Sequence, residues 1–406
     1  MVSNKLFRRQ IIEAVQAEAP VLPRCSHAPP TGQCGGCVFQ DRDYPGQVAA
    51  KRAALRHLWE GELSDALLMA LDVVASPNPF AYRTRMDFVA SKNRFGLRRS
   101  GRFNYIIDLK ECHLIPAHAF AAARAMYDHA MRLGLPDYDL RTHTGFLRYV
   151  AVRRSPDDDV LLALITAAPD EAGTYAGKVE EVALAALKYD GVVGVHWLIN
   201  ATRTDISFGE TVRFWGRATL PMRVGAYTLE IGPNTFFQNN VWLLMSLLGA
   251  VRDAVAGVGS GALSIADLYS GVGTIALFVA DLADRIVCVE AVEESVGLAR
   301  ENIARAGFEH IVVVGANVAD ALRERASGAF DIIIADPPRT GLGPDVCREL
   351  LRLHPQRIVY VSCNPLTQRD DVRMLAEAYR LVSLQGYDMF PHTPHLESLA
   401  VLDAIR

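Results

Sequence analysis

Apolar positions along the chain follow two rhythms, and the change falls near Gly232. Downstream, short runs rich in β-branched residues at 263–268, 285–289, 330–335 and 358–361 alternate with stretches of helical periodicity, the first over 239–255. Runs apolar on successive positions are what strands buried on both faces require. The expectation is a Rossmann-like α/β domain over 230–406. Upstream the pattern is irregular. An amphipathic helix around Ile11, Ile12 and Val15 opens the chain, with Arg8, Arg9 and Gln10 on its other faces. An alanine-rich helix is predicted over 116–134. Strands at 147–153 and 159–166 flank the turn Ser155-Pro156-Asp157-Asp158 as a hairpin. A helix over 176–188 and strands at 192–200 and 226–231 complete an α+β domain spanning 1–229.

Half of the 406 residues are apolar, enough for two or three cores, and the longest apolar stretches are broken by charges, so no membrane span is expected. The first nine residues lack an apolar signal core, which predicts a cytoplasmic location and reduced cysteines. The net charge of −4 conceals a basic tract. Arg83, Arg85, Lys92, Arg94, Arg98, Arg99, Arg102 and Lys110 are interleaved with Tyr82, Phe88, Phe95, Phe103 and Tyr105. Cations beside aromatics suit phosphates and unpaired bases, and a solvated strand pair would read similarly. Arg148, Arg153 and Arg154 form a second basic cluster.

Cys25, Cys34 and Cys37 lie in a loop too rich in Pro and Gly for helix or strand, and Cys112 follows far downstream. Four thiolates suit a structural zinc or an iron–sulfur cluster, and spacing alone does not choose. His27 and His113 keep mixed Cys/His ligation open. Cys288 and Cys347 read as core residues.

Candidate chemistry gathers in the second half. Gly271-x-Gly273 ends the strand at 263–268, and Glu290 ends the next, a pairing shared by nicotinamide enzymes and S-adenosylmethionine-dependent methyltransferases. Asp336-Pro337-Pro338-Arg339 follows another strand, and its prolines fix an extended turn that points Asp336 into a cleft. The run at 358–361 stops at Ser362-Cys363-Asn364-Pro365, placing a thiol at the carboxyl edge of the sheet. Glu397 precedes a closing strand at 399–402 and could act as a general base, while His392 and His395 read as loop-packing residues.

The segments 234–240 and 267–273, with Asp336-Pro337-Pro338-Arg339, Ser362-Cys363-Asn364-Pro365 and His395-Leu396-Glu397, resemble in content and order the RNA uracil-5-methyltransferases. The resemblance implies a class I methyltransferase domain using S-adenosylmethionine, joined to an RNA-binding domain. It implies that Cys363 adds to carbon 6 of uracil and that Glu397 removes the proton from carbon 5. Gln238, Tyr269, Glu290, Asn317 and Asp336 are implied to bind the methyl donor. Cys25, Cys34, Cys37 and Cys112 resemble the ligands of the [4Fe–4S] cluster in the ribosomal-RNA branch, here without the amino-terminal oligonucleotide-binding barrel. On that basis 23S rRNA is the expected substrate of a monomeric enzyme, with the transfer RNA T-loop, or a non-catalytic RNA-binding assembly role, as the alternatives. Ser270 and Thr274 depart from residues common in the family's glycine loop.

Overall fold

A computed structural model describes residues 4–169, 175–259 and 263–405. Two large sheets organise them, and Leu220–Val224 and Tyr227–Ile231 form a separate two-stranded sheet. The first has seven strands in the order Arg102–Asp108, Arg94–Arg99, Arg85–Ser91, Leu147–Arg154, Val160–Thr166, Val192–Ile199 and Glu210–Gly216. It is antiparallel except where Val160–Thr166 and Val192–Ile199 run parallel, joined by a crossover through helix Ala176–Ala186. The basic tract is thus the three-stranded end of this sheet. Helices Ala117–Arg132 and Ala176–Ala186 cover one face.

The second sheet has eight strands: Val73–Val74, Tyr379–Tyr387, Glu397–Ala404, Arg357–Ser362, Ile332–Ala335, Ser264–Leu268, Arg285–Glu290 and Ile311–Gly315. Its last five are parallel, as their apolar runs require, and all four residues of Ile332–Ala335 are buried. Glu397–Ala404 enters antiparallel, between Arg357–Ser362 and Tyr379–Tyr387. Mixed α/β architecture is therefore observed in both halves.

The amino-terminal segment packs on this second sheet. Phe7, Ile11 and Val15, spaced by four on helix Asn4–Gln16, are buried in one core with Leu55, Trp59, Ala266, Ile333 and Tyr360. Fully burying such a side chain contributes roughly 1.5–3 kcal/mol. Helix Tyr44–Trp59 starts where Asp43 accepts a hydrogen bond from the Gly46 amide at 3.2 Å, with Pro45 in its first turn. Val73 pairs with Gly386 at the sheet edge. Among the described residues no helix is long and apolar enough to cross a membrane.

Candidate active site

The glycine turn brings the backbone close to an open space. Gly271 and Gly273 have φ of 54° and 86°, and Tyr269, with φ of 60°, adopts the same left-handed region that a bulky side chain rarely enters. Such strain persists only where the surroundings over-determine it. Here strand pairing holds Leu268, and the Ser270 amide donates to the Val289 carbonyl at 3.1 Å. Glu290 closes the turn, accepting from the Gly271 amide at 3.0 Å and from the Ala291 and Val292 amides at 2.8 Å. Asn317 stands exposed beyond the next strand, where its side chain caps helix Val318–Arg323 through the Ala319 amide at 3.0 Å. Gln238, Tyr269 and Asp336 line one small cavity with Ser270, Gly271 and Phe236. The Gln238 Nε2 donates to Asp336 Oδ2 at 2.8 Å, and the buried Ser270 hydroxyl lies against the Cys288 thiol.

Asp336 and Cys363 end adjacent parallel strands and are tied by their turns: Asn364 Nδ2 donates to the Arg339 carbonyl at 3.0 Å. Ladder register adds Glu397. Ser362 pairs with Ser398, so the antiparallel continuation sets Glu397 beside Cys363. The strand begins at Glu397 itself, two residues earlier than the apolar run suggested, because Glu397 also pairs with Tyr387. Glu397 is buried, and its Oε2 is without a partner among the described residues. Burial first, then the Asp336 charge, raises its carboxyl to about 8 against the pull of Arg339. Burial likewise raises Asp336 to about 7, opposed by the Gln238 hydrogen bond. The half-buried Cys363 thiol is pushed up to about 12 by burial, Glu397 and Asp336, with Arg339 acting oppositely. The three groups thus hold their protons against one another.

A cleft of about 1180 Å³ opens alongside, between the basic end of the first sheet and the loop before Glu397. Arg42, Arg83, Arg85, Arg99, Phe208 and His395 are among its lining. Guanidiniums lie over rings here: Arg98 on Phe103 at 3.8 Å, Arg94 on Tyr105 at 4.4 Å and Arg85 on Phe208 at 4.4 Å. His392 is buried against Phe80, with ring centroids 4.6 Å apart, in a packing position.

The four upstream cysteines come together at one edge of this cleft. All are free; Cys25, Cys34 and Cys37 are buried and Cys112 is half-buried. Burial raises each thiol, and neighbouring thiols add to the rise in Cys34, Cys37 and Cys112. Gly36 permits close packing, since a Cβ there would lie 2.6 Å from Leu97 Cδ1 and 3.6 Å from Cys34 Sγ. His27 Nε2 accepts the Lys110 amide at 2.9 Å, and His113 Nε2 faces Glu111 at 3.2 Å. Among the described residues no three His, Cys, Asp or Glu side chains are placed to hold a single metal ion. Cys288 and Cys347 are core residues.

A profile of the tRNA (uracil-5-)-methyltransferase family matches residues 201–405. The chain is 31% identical over 381 residues to the tRNA (uracil(54)-C(5))-methyltransferase of Pyrococcus abyssi, covering 94% of this chain and 85% of the relative. It is 34% identical over 391 residues to an RNA methyltransferase of Nitratidesulfovibrio vulgaris, covering 94% and 82%. The crystal structure of the Pyrococcus abyssi tRNA (uracil-54, C5)-methyltransferase in complex with S-adenosyl-L-homocysteine superposes with a TM-score of 0.76 at 29% identity, covering 91% of this chain and 85% of that one.

Proposed function

The chain belongs to the tRNA (uracil-5-)-methyltransferase family and is an RNA (uracil-5-)-methyltransferase, and from that premise we propose that it methylates a T-loop uridine of transfer RNA, with Cys363 as nucleophile and Glu397 as base. The ladder register that sets Glu397 beside Cys363 is the observation that carries this assignment. The expectation of 23S rRNA gives way to its alternative, because the named relatives act on uracil 54 of transfer RNA.

Carbon 5 of uracil is a weak nucleophile. The half-buried Cys363 thiol first loses its proton to solvent, a loss that the neighbouring Arg339 favours; the thiolate then adds to carbon 6, and the electrons of the 5,6 double bond move onto the ring carbonyl as an enolate. Carbon 5 of that enolate takes the methyl group. Glu397 then receives the proton from carbon 5, and the returning electron pair expels the thiolate from carbon 6. S-Adenosylmethionine, when bound, supplies an electrophilic methyl on a sulfonium. The residues suit it: the cavity of Gln238, Tyr269 and Asp336 abuts the glycine turn, and Glu290 and Asn317 stand at the next two strand ends. Glu397 must be ionised when carbon 5 gives up its proton, and a carboxyl raised to about 8 is then a stronger base than an ordinary carboxylate. The target base must leave its stack to reach Cys363, and the arginine-backed rings of the adjoining cleft suit an unstacked loop.

Cys25, Cys34, Cys37 and Cys112 are proposed to hold a [4Fe–4S] cluster. Four gathered thiols support this, with Arg83 close enough to Cys37 and Cys112 to offset a negative cluster. A cluster spreads its ligands over several irons, so it needs no three donors around one point.

The test is transfer of labelled methyl from S-adenosylmethionine to transcribed tRNA and to 23S rRNA fragments, with the product mapped. Label at a T-loop uridine is expected; label confined to rRNA, or none, overturns the proposal. Anaerobically purified protein should be brown with iron near four per chain; stoichiometric zinc instead would overturn the cluster.

A further inference from the structure

The amino-terminal helix presents two parallel stripes. Phe7, Ile11 and Val15 point into the core, and Arg8, Ile12 and Gln16, one position on, line the large cleft. On the outer side Arg9 is satisfied by Glu13 at 2.7 Å. Among the described residues Arg8 has no such partner. It is half-buried and within electrostatic reach of Arg339 and Cys363. Arg339, on the exposed turn after Asp336, likewise has no carboxylate partner among the described residues. The acidic groups near the pair, Glu397, Asp336 and Cys363, are all driven by burial toward their neutral forms.

Arg8 lines the cleft, and two cations within electrostatic reach of each other repel, a repulsion relieved when an anion enters beside them. Guanidinium is the side chain suited to a phosphodiester, through its fork of donors. We propose that Arg8, paired with Arg339, receives an RNA backbone phosphate beside the uridine that reaches Cys363, so that the amino-terminal helix forms one jaw of the RNA site. This inference rests on the RNA reading above and assigns Arg8 to binding and positioning, not to the bond-making steps. The sequence showed Arg8 only as a polar-face residue of a packing helix.

The experiment is anisotropy of a fluorescent T-arm hairpin RNA over a range of salt concentrations, with wild type, Arg8→Ala, Arg8→Lys and Arg9→Ala. Arg8→Ala should weaken binding roughly tenfold at low salt, the scale of one charge-assisted contact. It should also reduce the slope of log affinity against log salt by about 0.7 to 0.9. Arg8→Lys should keep the slope with a smaller loss, and Arg9→Ala should match wild type. Equal binding by Arg8→Ala and Arg9→Ala overturns the proposal. A second measurement separates the competing role of Arg8 as a thiolate stabiliser: the pH profile of Cys363 alkylation in RNA-free protein. That profile should move up only slightly in Arg8→Ala, by the loss of one neighbouring charge; a shift of about one pH unit or more with unchanged RNA binding would overturn the phosphate role. Because binding is read without turnover, absence of methyl transfer would sink the enzymatic reading while the salt slope still reports on Arg8.

Discussion

Lys51 Nζ reaches Asp388 Oδ1 at 2.6 Å, both side chains fully buried, across 337 positions of sequence. The same ammonium donates to the Phe390 carbonyl at 3.2 Å. One helical turn earlier, Gln47 accepts the His392 amide at 3.1 Å and donates to the Phe39 carbonyl at 2.8 Å. Helix Tyr44–Trp59 thereby holds the loop that delivers Glu397. Lys51→Met leaves a buried carboxylate without its cation and should cost roughly 3–5 kcal/mol of stability. The double variant Lys51→Met/Asp388→Leu should recover most of that loss. Denaturant titration of both checks this; equal stabilities would mean that the pair is not coupled.

Cys363 and Glu397 make opposite predictions when each is removed. Cys363→Ala should abolish methyl transfer, since no residue replaces the sulfur at carbon 6. Glu397→Gln should permit addition and methylation but stall before expulsion, leaving an RNA–protein adduct stable on a denaturing gel. The glutamine variant should also alkylate faster at Cys363 with iodoacetamide at pH 9, where Glu397 is ionised, because the Glu397 charge is among the causes of the raised thiol. A slower reaction would contradict that electrostatic link.

How far the chain could be read without coordinates follows from how each element buries its residues. Strands such as 332–335 are apolar on both faces and announce themselves. Helix Tyr44–Trp59 does not, because Gln47 and Lys51 occupy buried positions and blur its apolar stripe. The helix expected from 239 starts at Leu244, since Asn240 Oδ1 takes the Trp242 and Leu243 amides at 3.0 and 3.2 Å and turns the chain first. Val73–Val74 is too short to show a period, and only its pairing with 386–387 makes it a strand. In the site, Cys363 and Asp336 were legible as residues that end strands. Their partners came through the family resemblance, which named Gln238 and Glu397; that Gln238 bonds Asp336 and that Glu397 pairs beside Cys363 are products of topology.

Gln238 is the hydrogen bond that opposes the rise of Asp336. Gln238→Ala removes the donor and leaves a half-buried carboxylate at the cavity wall, so Asp336 should hold its proton to still higher pH. Loss of one such bond to a charged group is worth about 1.5–3 kcal/mol. The KM for S-adenosylmethionine should therefore rise by roughly 10- to 100-fold at pH 8, with the KM for RNA little changed. Gln238→Glu should be worse than alanine, placing a second acid against Asp336. Saturation curves for each substrate separate the two effects.

Glu397 also ties stability to pH. Its folded carboxyl lies at about 8 against an ordinary value of 4.5, so between those limits the native state holds a proton that the unfolded chain has lost. With more protons bound in the native state, stability falls as pH rises, by at most about 1.4 kcal/mol per pH unit for one group. Below the lower limit the contribution is complete, and above the upper one it is gone. Asp336, raised to about 7, pulls in the same direction. Glu397→Gln keeps the shape and discards the ionisation, so its melting temperature should exceed that of wild type at pH 8.5 and match it at pH 4.5. The difference should shrink steadily between the two. A variant equally destabilised at both pH values would show that Glu397 is ionised in the native protein at neutral pH, and that the carboxylate must then find a cation, with Arg339 the nearest candidate.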